Sequence, residues 1–531
     1  METVRTDVVV VGGGAAGLLA AVAARRLGHE VLVVEAAGQL GGATALGDGR
    51  LWLPANHLMD KQGVGDSAVE AAEYLDAVLG ATTDASSAAR RAAYVETAPK
   101  LARWLASSRL PLLVDREVAD DHQDAPGAKP SGRVLRSQAF DRRVLGEWAN
   151  ALRANSSPEP RPLAERVLGR FGPGHASRGS GEALTGELLH RAAGNGVELW
   201  LDSPATSLVA DGDGVRGVVV RRLVHGTGSE AGVQVEARVG VVLAAGGFEA
   251  SQELREENLP LPTQAAWSAA GAGNDGSAID LAVAHGAAAA ELAEAWWTPV
   301  TVVDGIAHPL DEERSQPHGM IVDQTGSRFL DESAPAAQVG RQLYDRSHGV
   351  RAIPSYLIVD NRFRREFRLG PWQAGSTPRQ ALESGDLVRA ATLNELAQNL
   401  GIDRAGLLGT AVRFNGFARK GRDLDFDRGE GLVHSGGGRR RNPSLGTVDK
   451  PPFWAVKVFP GDLGTKGGLL VDADARVLRA DGSAIRGLYA CGGTAASMMG
   501  RTSPAPGAAL GEALVGAFRA VLAISQESSA G

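Results

Sequence analysis

At 531 residues the chain exceeds what one hydrophobic core supports, so two or three domains are expected. Its 44% hydrophobic and 22% charged residues match a soluble globular protein, and a net charge of -7 argues against nucleic acid or an anionic membrane as partner. One cysteine, Cys491, excludes an internal disulfide framework and fits a reducing, cytoplasmic interior.

The first apolar stretch, DVVVVGGGAAGLLAAVAA, could pass for a leader or a span. It starts on Asp7 and runs into Arg25 and Arg26, without a basic lead or a small-residue cleavage site. No other run reaches about 18 apolar residues, so no membrane span is expected. The stretch reads instead as strand, glycine turn and helix. Val8 to Val11 is a β-branched run suited to a buried parallel strand. Gly12, Gly14 and Gly17 satisfy G-x-G-x-x-G: a tight turn, a backbone open to a pyrophosphate, and close helix–sheet packing. The helix amides then meet the phosphates. A second strand, Val31 to Val34, ends in Glu35, placed to accept from an adenosine ribose.

After Glu35 the loop AAGQLGGATALGDGRLWLPAN continues away from the adenosine end, which suits FAD and its long flavin arm. A second formal match, GAGNDG at Gly271, Gly273 and Gly276, has no strand before it and is not read as a second dinucleotide unit. Residues 60–165 read as helices and polar loops. From 181 the pattern becomes helix and then short strands, with a hairpin turn at Asp211–Gly214. VGVVLAAGGFEAS is another buried strand entering a glycine turn, and rejoins the first sheet. Residues 265–455 hold tryptophan-rich and arginine-rich loops and read as an inserted domain, leaving 1–264 and 456–531 as the two parts of the cofactor domain. The chain returns with GLLVDADARVL and GLYACGG, then the bend MMGRTSPAPGAALGEAL, which feeds a helix.

The glycine unit together with VVLAAGGFEAS, GNDGSAIDLAVAHGAA, GSRFLDES, GDLGTKGG and GLYACGG resembles the flavoproteins related to fumarate reductase. GGATALGDGRLWLPAN, DLDFDRGEG, NPSLGTVDKPPFWAV and TAASMMGRTSPAPGAALGEAL resemble one branch more narrowly, the 3-ketosteroid Δ1-dehydrogenases, over about residues 5–521. The resemblance implies an α/β protein: a Rossmann-like FAD-binding domain with an inserted α+β substrate-capping domain. It implies that a base removes a proton beside a ketone while flavin N5 takes a hydride from the neighbouring carbon. The ketone oxygen then needs fixed donors, one being the backbone N–H of Gly507. Ala509 and Leu510, at the helix start, face the flavin pyrimidine. The candidate cofactor positions are Gly12, Gly14, Ala15, Ala16, Gly17, Glu35, Ala36, Gly41, Gly42, Ala43, Thr44, Gly47, Ala205, Ala245, Gly246, Asp275, Tyr489, Gly493, Ala509 and Leu510.

The sequence departs from that branch at three tyrosines. The one that precedes the Pro-x-Pro-Gly bend is Ser503 here, the one after the RF-x-x-E-x-A-P segment falls at Ala336, and the one before a Pro-Gly matches Asp121, beside His122. Of the five tyrosines present, Tyr74, Tyr94 and Tyr356 read as packing residues, Tyr489 as a neighbour of the flavin, and Tyr344 lies one helical stretch past Ala336. The fumarate-reductase pattern also fails: Ala336 and Ala337 stand where its arginine belongs, with Arg341 displaced, and Asp462-Leu463-Gly464 precedes Thr465 where its histidine belongs. A small dicarboxylate is therefore a poor substrate.

Substitutes for the missing groups can be named. His122 with Asp121 or Asp120 would make a base near neutral pH. Ser503 could donate to a carbonyl, and Arg501 could bind an oxyanion or cap nearby carbonyls. Arg439 to Arg441 read as a solvated loop, and His308 and His318 lack metal-ligand spacing. Trp296 and Trp297 could line a cavity or pack a core. The sequence thus points to an FAD-dependent dehydrogenase acting on CH–CH groups of a small hydrophobic, ketone-bearing substrate, steroid-like or a specialised-metabolite precursor, with an external electron acceptor or donor. Two alternatives stand beside it: an ene-reductase acting on an enone, and an FAD-binding protein with altered catalysis.

Overall fold

The computed structural model describes residues 2–110, 112–154, 175–176, 180–212, 214–223, 230–430 and 442–530. Its chain contacts divide it into two units. The first comprises Met1–Ser251, Ala270–Glu294 and Thr465–Gly531. Its eight-stranded sheet runs Arg476–Leu478, Ala484–Ala490, Gly214–Leu223, Glu230–Leu243, Glu2–Val11, Val31–Val34 and Glu198–Trp200, with Ala205–Asp211 paired to Gly214–Leu223.

One part of this sheet is parallel: Glu2–Val11 lies between Val31–Val34 and Glu230–Leu243, and Ala484–Ala490 runs parallel to Glu230–Leu243. Val8, Val9 and Val10 are fully buried, as a strand covered on both faces requires. Helix Ala15–Arg26 is buried along ten consecutive residues, packed on the sheet and against the C-terminal helix Ala508–Ala530. Gly17 permits that approach, since a Cβ there would sit 1.9 Å from the Gly12 carbonyl oxygen. The resulting architecture is the expected Rossmann-like domain with an α+β insertion.

Residues 60–165 are not only helices and loops. Leu51–Trp52, Val134–Ser137 and Leu112–Val114 form a three-stranded antiparallel sheet. The flanking helices start as their sequences specify: Ser67 Oγ caps helix Ala68–Leu79 by accepting from the Glu70 amide, and it donates to the Glu70 carboxylate.

The second unit comprises Gln252–Ala269 and Ala295–Gly464. Its six-stranded sheet runs Ile306–Pro309, Ala295–Val303, Phe453–Thr465, Ser355–Val359 and Gly319–Val322, with Val388–Ala390 on Phe453–Thr465. The unit boundaries differ from those expected at 264/265 and 455/456 for a physical reason. Strand Ala289–Ala290 pairs with Gly468–Leu469, which keeps residues 270–294 in the first unit. Strand Phe453–Thr465 pairs along Ser355–Val359 and Val388–Ala390, which carries the second unit on to Gly464.

Candidate active site

Three glycine turns sit at the carboxyl ends of three parallel strands of the first unit: Gly12–Gly17, Ala244–Gly247 and Gly492–Gly493. That end of a parallel sheet is where nucleotide ligands bind. Gly12 has φ +106°, and a Cβ there would meet the Ala244 carbonyl oxygen at 2.3 Å. A Cβ on Gly493 would meet the Gly247 nitrogen at 2.9 Å. Thr494 joins two of the turns, its hydroxyl donating to Gly246 O at 2.9 Å and accepting from the Ala245 amide at 2.9 Å.

Helix Ala15–Arg26 has Gly14 at its N-cap and no side chain capping its first turn. The amides of Ala15, Ala16 and Gly17 are thus presented to whatever anion the turn receives. Gly14 bridges to Gly41, and the Gly41 amide donates to Gly13 O at 2.8 Å. This brings Gly41 and Gly42, both at positive φ, over the turn. Ala43 and Thr44 open the short helix Thr44–Leu46, and Gly47 O accepts from the Gly181 amide. Glu35 ends its strand with its carboxylate on the Gly13 and Ala37 amides at 2.7 and 2.8 Å, beside exposed Ala36. Ser203 N donates to Glu35 O, which sets Ala205 near the same strand end. Closely packed glycines, an uncapped helix start and a terminal acid together fit the diphosphate and ribose of FAD.

Some expected cofactor residues lie elsewhere. Asp275 is exposed and accepts from the Ser277 amide at the start of helix Ser277–Val283. It is Asn274 whose side chain overlies Gly246. The Tyr489 hydroxyl donates to Glu527 at 2.9 Å. Glu527 is near the far end of the helix on which Ala509 and Leu510 stand, about 25 Å along its axis. Tyr489 therefore ties the sheet to that helix.

The bend before the C-terminal helix is held by donors from four directions. Lys466 Nζ donates to the carbonyls of Gly500 and Thr502 at 2.8 and 2.5 Å. His122 Nε2 lies 3.1 Å from Ser503 O and 3.2 Å from Thr502 Oγ1. The Tyr74 hydroxyl and the Asp121 amide both donate to Pro504 O, at 2.5 and 2.8 Å. The Ser503 hydroxyl donates to Ala505 O at 3.1 Å. Beyond it, Gly507 has φ +87°, and a Cβ there would meet Arg50 C at 2.7 Å. Its carbonyl accepts from the Trp52 and Gly511 amides, whereas its own N–H has no acceptor among the described residues.

These contacts revise the catalytic expectations. Ser503 braces its own turn. His122 is brought to the bend, where its Nε2 meets a carbonyl and a hydroxyl. Burial lowers its pKa, opposed only by the Ser503 carbonyl. The Asp120 carboxylate instead takes Trp52 Nε1, Arg133 and the Lys129 amide, at 2.8 to 2.9 Å. Arg501 is 74% exposed and pairs with Glu294 at 3.4 Å, so it is a surface cation at this bend. Cys491 is buried, its thiol pushed up to about 12 by burial.

Tyr344, in the second unit, packs edge-on against Trp297, and burial raises its phenol, with Arg255 opposing. Tyr356 is a strand residue whose hydroxyl donates to Leu400 O. No metal-binding cluster exists among the described residues, and Arg439 to Arg441 lie outside them.

Sequence reading missed Glu249, Asn274, Thr465 and Lys466. The Glu249 carboxylate accepts from Asn274 Nδ2 at 2.5 Å and from Thr465 N and Oγ1 at 3.2 Å. A lysine in the glycine-rich turn GDLGTKGG reads as solvated, and only the fold buries it.

This cradle is that of a flavoprotein, and the family described as FAD binding domain matches residues 7–510. The 3-oxosteroid 1-dehydrogenase of Mycolicibacterium smegmatis is 34% identical over 99% of this chain and 98% of its own length. The 4-oxocyclohex-2-ene-1-carboxylate 5-dehydrogenase of Sinomonas cyclohexanicum is 31% identical over 100% and 95%. A crystal structure of 3-ketosteroid Δ1-dehydrogenase from Sterolibacterium denitrificans, in complex with 1,4-androstadiene-3,17-dione, superposes with a TM-score of 0.91 at 35% identity, covering 98% of this chain and 100% of that one. The chain belongs to the 3-ketosteroid Δ1-dehydrogenase family of FAD-dependent oxidoreductases acting on CH–CH groups.

Proposed function

We propose that the protein desaturates a cyclic or otherwise bulky ketone next to its carbonyl, with the second unit as its substrate-capping domain. The observation that carries this reading is the bend at Ser503–Gly507: the carbonyls of Ser503, Pro504, Ala505 and Gly507 are turned to internal donors, while the Gly507 N–H keeps no acceptor among the described residues. A backbone donor fixed in advance suits an oxygen that gains charge as a proton leaves the adjacent carbon. FAD, when bound, supplies the hydride acceptor. The named relatives support a ring ketone, as one acts on a 3-oxosteroid and another on a 4-oxocyclohexene carboxylate.

The remaining roles fall to groups around the bend. With its Nε2–H donated to Ser503 O, His122 keeps the Nδ1 lone pair for a proton, and burial favours the neutral ring at pH 7. In this reading Asp121, whose amide holds the bend, and Arg501, at its exposed side, would tune that proton and any anionic part of the substrate. If Ser503, Ala336 and Asp121 replace tyrosines, as the sequence resemblance implies, a substrate with a more acidic C–H than a 3-ketosteroid fits best. A cytoplasmic site of action goes with this reading. The described helix apolar and long enough to span a membrane, Ala508–Ser528, is the one packed on Ala15–Arg26.

Anaerobic mixing of the yellow protein with a panel of 3-ketosteroids and smaller cyclic ketones tests the reading. Loss of oxidised flavin absorbance on adding a saturated ketone supports it. No loss with any ketone, but reoxidation of dithionite-reduced protein by an enone, would reverse the assigned direction. No response to either would leave an FAD-binding protein without this chemistry.

A further inference from the structure

Lys466 is 1% exposed, its backbone fixed by Glu294 O accepting from its amide and by Ser497 N donating to its carbonyl. Its ammonium reaches the carbonyls of Gly500 and Thr502, on either side of exposed Arg501. Burying an ammonium is costly, and two turn carbonyls could be satisfied by water or a neutral donor. A cation on a carbonyl oxygen does something those cannot. It polarises the whole peptide unit, so the following N–H becomes a stronger donor. For Gly500 and Thr502 those N–H groups belong to Arg501 and Ser503, within the bend that leads to Gly507.

The geometry points to Lys466 as a positioning residue that fixes the Gly500–Gly507 bend and adds buried positive charge beneath it, favouring an oxyanion over a neutral oxygen at the bend. The inference rests on the reading of that bend as the ketone-oxygen site. His122 and Tyr74 hold the later carbonyls, at Ser503 and Pro504, with neutral groups. Lys466 supplies the fixed charge.

The test uses FAD-loaded protein and p-chlorophenol, whose phenolate gives a long-wavelength charge-transfer band against oxidised flavin. In the wild type, bound p-chlorophenol should ionise below its solution pKa. In Lys466→Met its pKa should return upward by about one unit, a tenfold loss of preference for the anion. Turnover with whichever ketone bleaches the flavin should fall about 10- to 100-fold, with KM changed less than about threefold. Lys466→Arg should restore most of both. Should Lys466→Met fail to hold FAD, Lys466→Gln, which keeps N–H donors without the charge, carries the same comparison. A purely structural lysine would lower FAD occupancy and melting temperature without moving the phenol pKa in the fraction that holds FAD, and that result overturns the inference alone. A wild type that leaves the phenol pKa unshifted overturns the oxyanion reading of the bend, and this inference with it.

Discussion

The Tyr74 hydroxyl donates to the Pro504 carbonyl at 2.5 Å and accepts from the His122 amide at 3.2 Å, joining two loops separated by about four hundred residues. Tyr74 is fully buried, its ring under the Arg133 guanidinium at 5.3 Å, and Arg133 pairs with Asp66 and Asp120. Tyr74→Phe keeps the ring and removes the donor. The Pro504 carbonyl retains the Asp121 amide, so the stability loss should be modest, about 1 kcal/mol. Turnover should fall more than that loss suggests, because the bend loses its register. A denaturant titration alongside steady-state rates separates the two effects.

His122 carries a pH prediction. Burial lowers its pKa below the ordinary imidazole value of 6.5, so the ring stays neutral further into acid than a free histidine would. If it accepts the substrate proton, the acid limb of kcat/KM lies below pH 6.5, and His122→Ala abolishes turnover while FAD absorbance is retained. The same shift contributes to stability in a defined direction. The unfolded chain binds the proton more readily, so this contribution is present above pH 6.5 and shrinks as pH falls through that value. A pH–rate profile whose acid limb survives in His122→Ala would fix the base elsewhere.

The cofactor end was legible because its signals are local. Gly12, Gly14 and Gly17 are specified by turn geometry within six residues, and Glu35 follows from the strand that precedes it. VVLAAGG and GLYACGG read correctly as strands entering glycine turns, for the same reason. The contacts of the bend before the C-terminal helix were not legible. Ser503 looked like a donor to substrate, but its hydroxyl turns back to Ala505 O, which depends on the backbone path two residues on. His122 and Asp120 are near in sequence, yet Trp52 and Arg133, from distant segments, claim the carboxylate. The strands Leu51–Trp52, Leu112–Val114 and Val134–Ser137 are two to four residues long and pair across long separations, so no periodicity could reveal them.

Gly17→Ala tests the cradle directly. The added Cβ would lie 1.9 Å from the backbone carbonyl oxygen of Gly12, which cannot swing aside as a side chain does. The helix start must then shift away from the turn, carrying the amides of Ala15 and Ala16 with it. The variant should purify with at most about a tenth of the wild-type FAD content, read as the ratio of flavin to protein absorbance. Added FAD should restore it only at concentrations well above those the wild type needs.

Glu313 offers a stability test in the second unit. It is 1% exposed, and burial raises its carboxyl to about 7, opposed by Arg368 at 2.9 Å. Because the folded pKa exceeds the unfolded value of 4.5, the folded state holds the proton more tightly. The stabilising contribution is therefore complete below pH 4.5, and is lost as pH rises towards 7. Above that, folding carries a buried carboxylate with Arg368 beside it. Glu313→Gln removes the titration and the charge, and Arg368, partly exposed, can turn to water. The variant should melt about 1–3 °C above the wild type at pH 8 and no higher at pH 5, by differential scanning calorimetry. A wild type whose advantage grows towards pH 8 would mean the Glu313–Arg368 pair is net stabilising as an ion pair, which reverses the assigned sign.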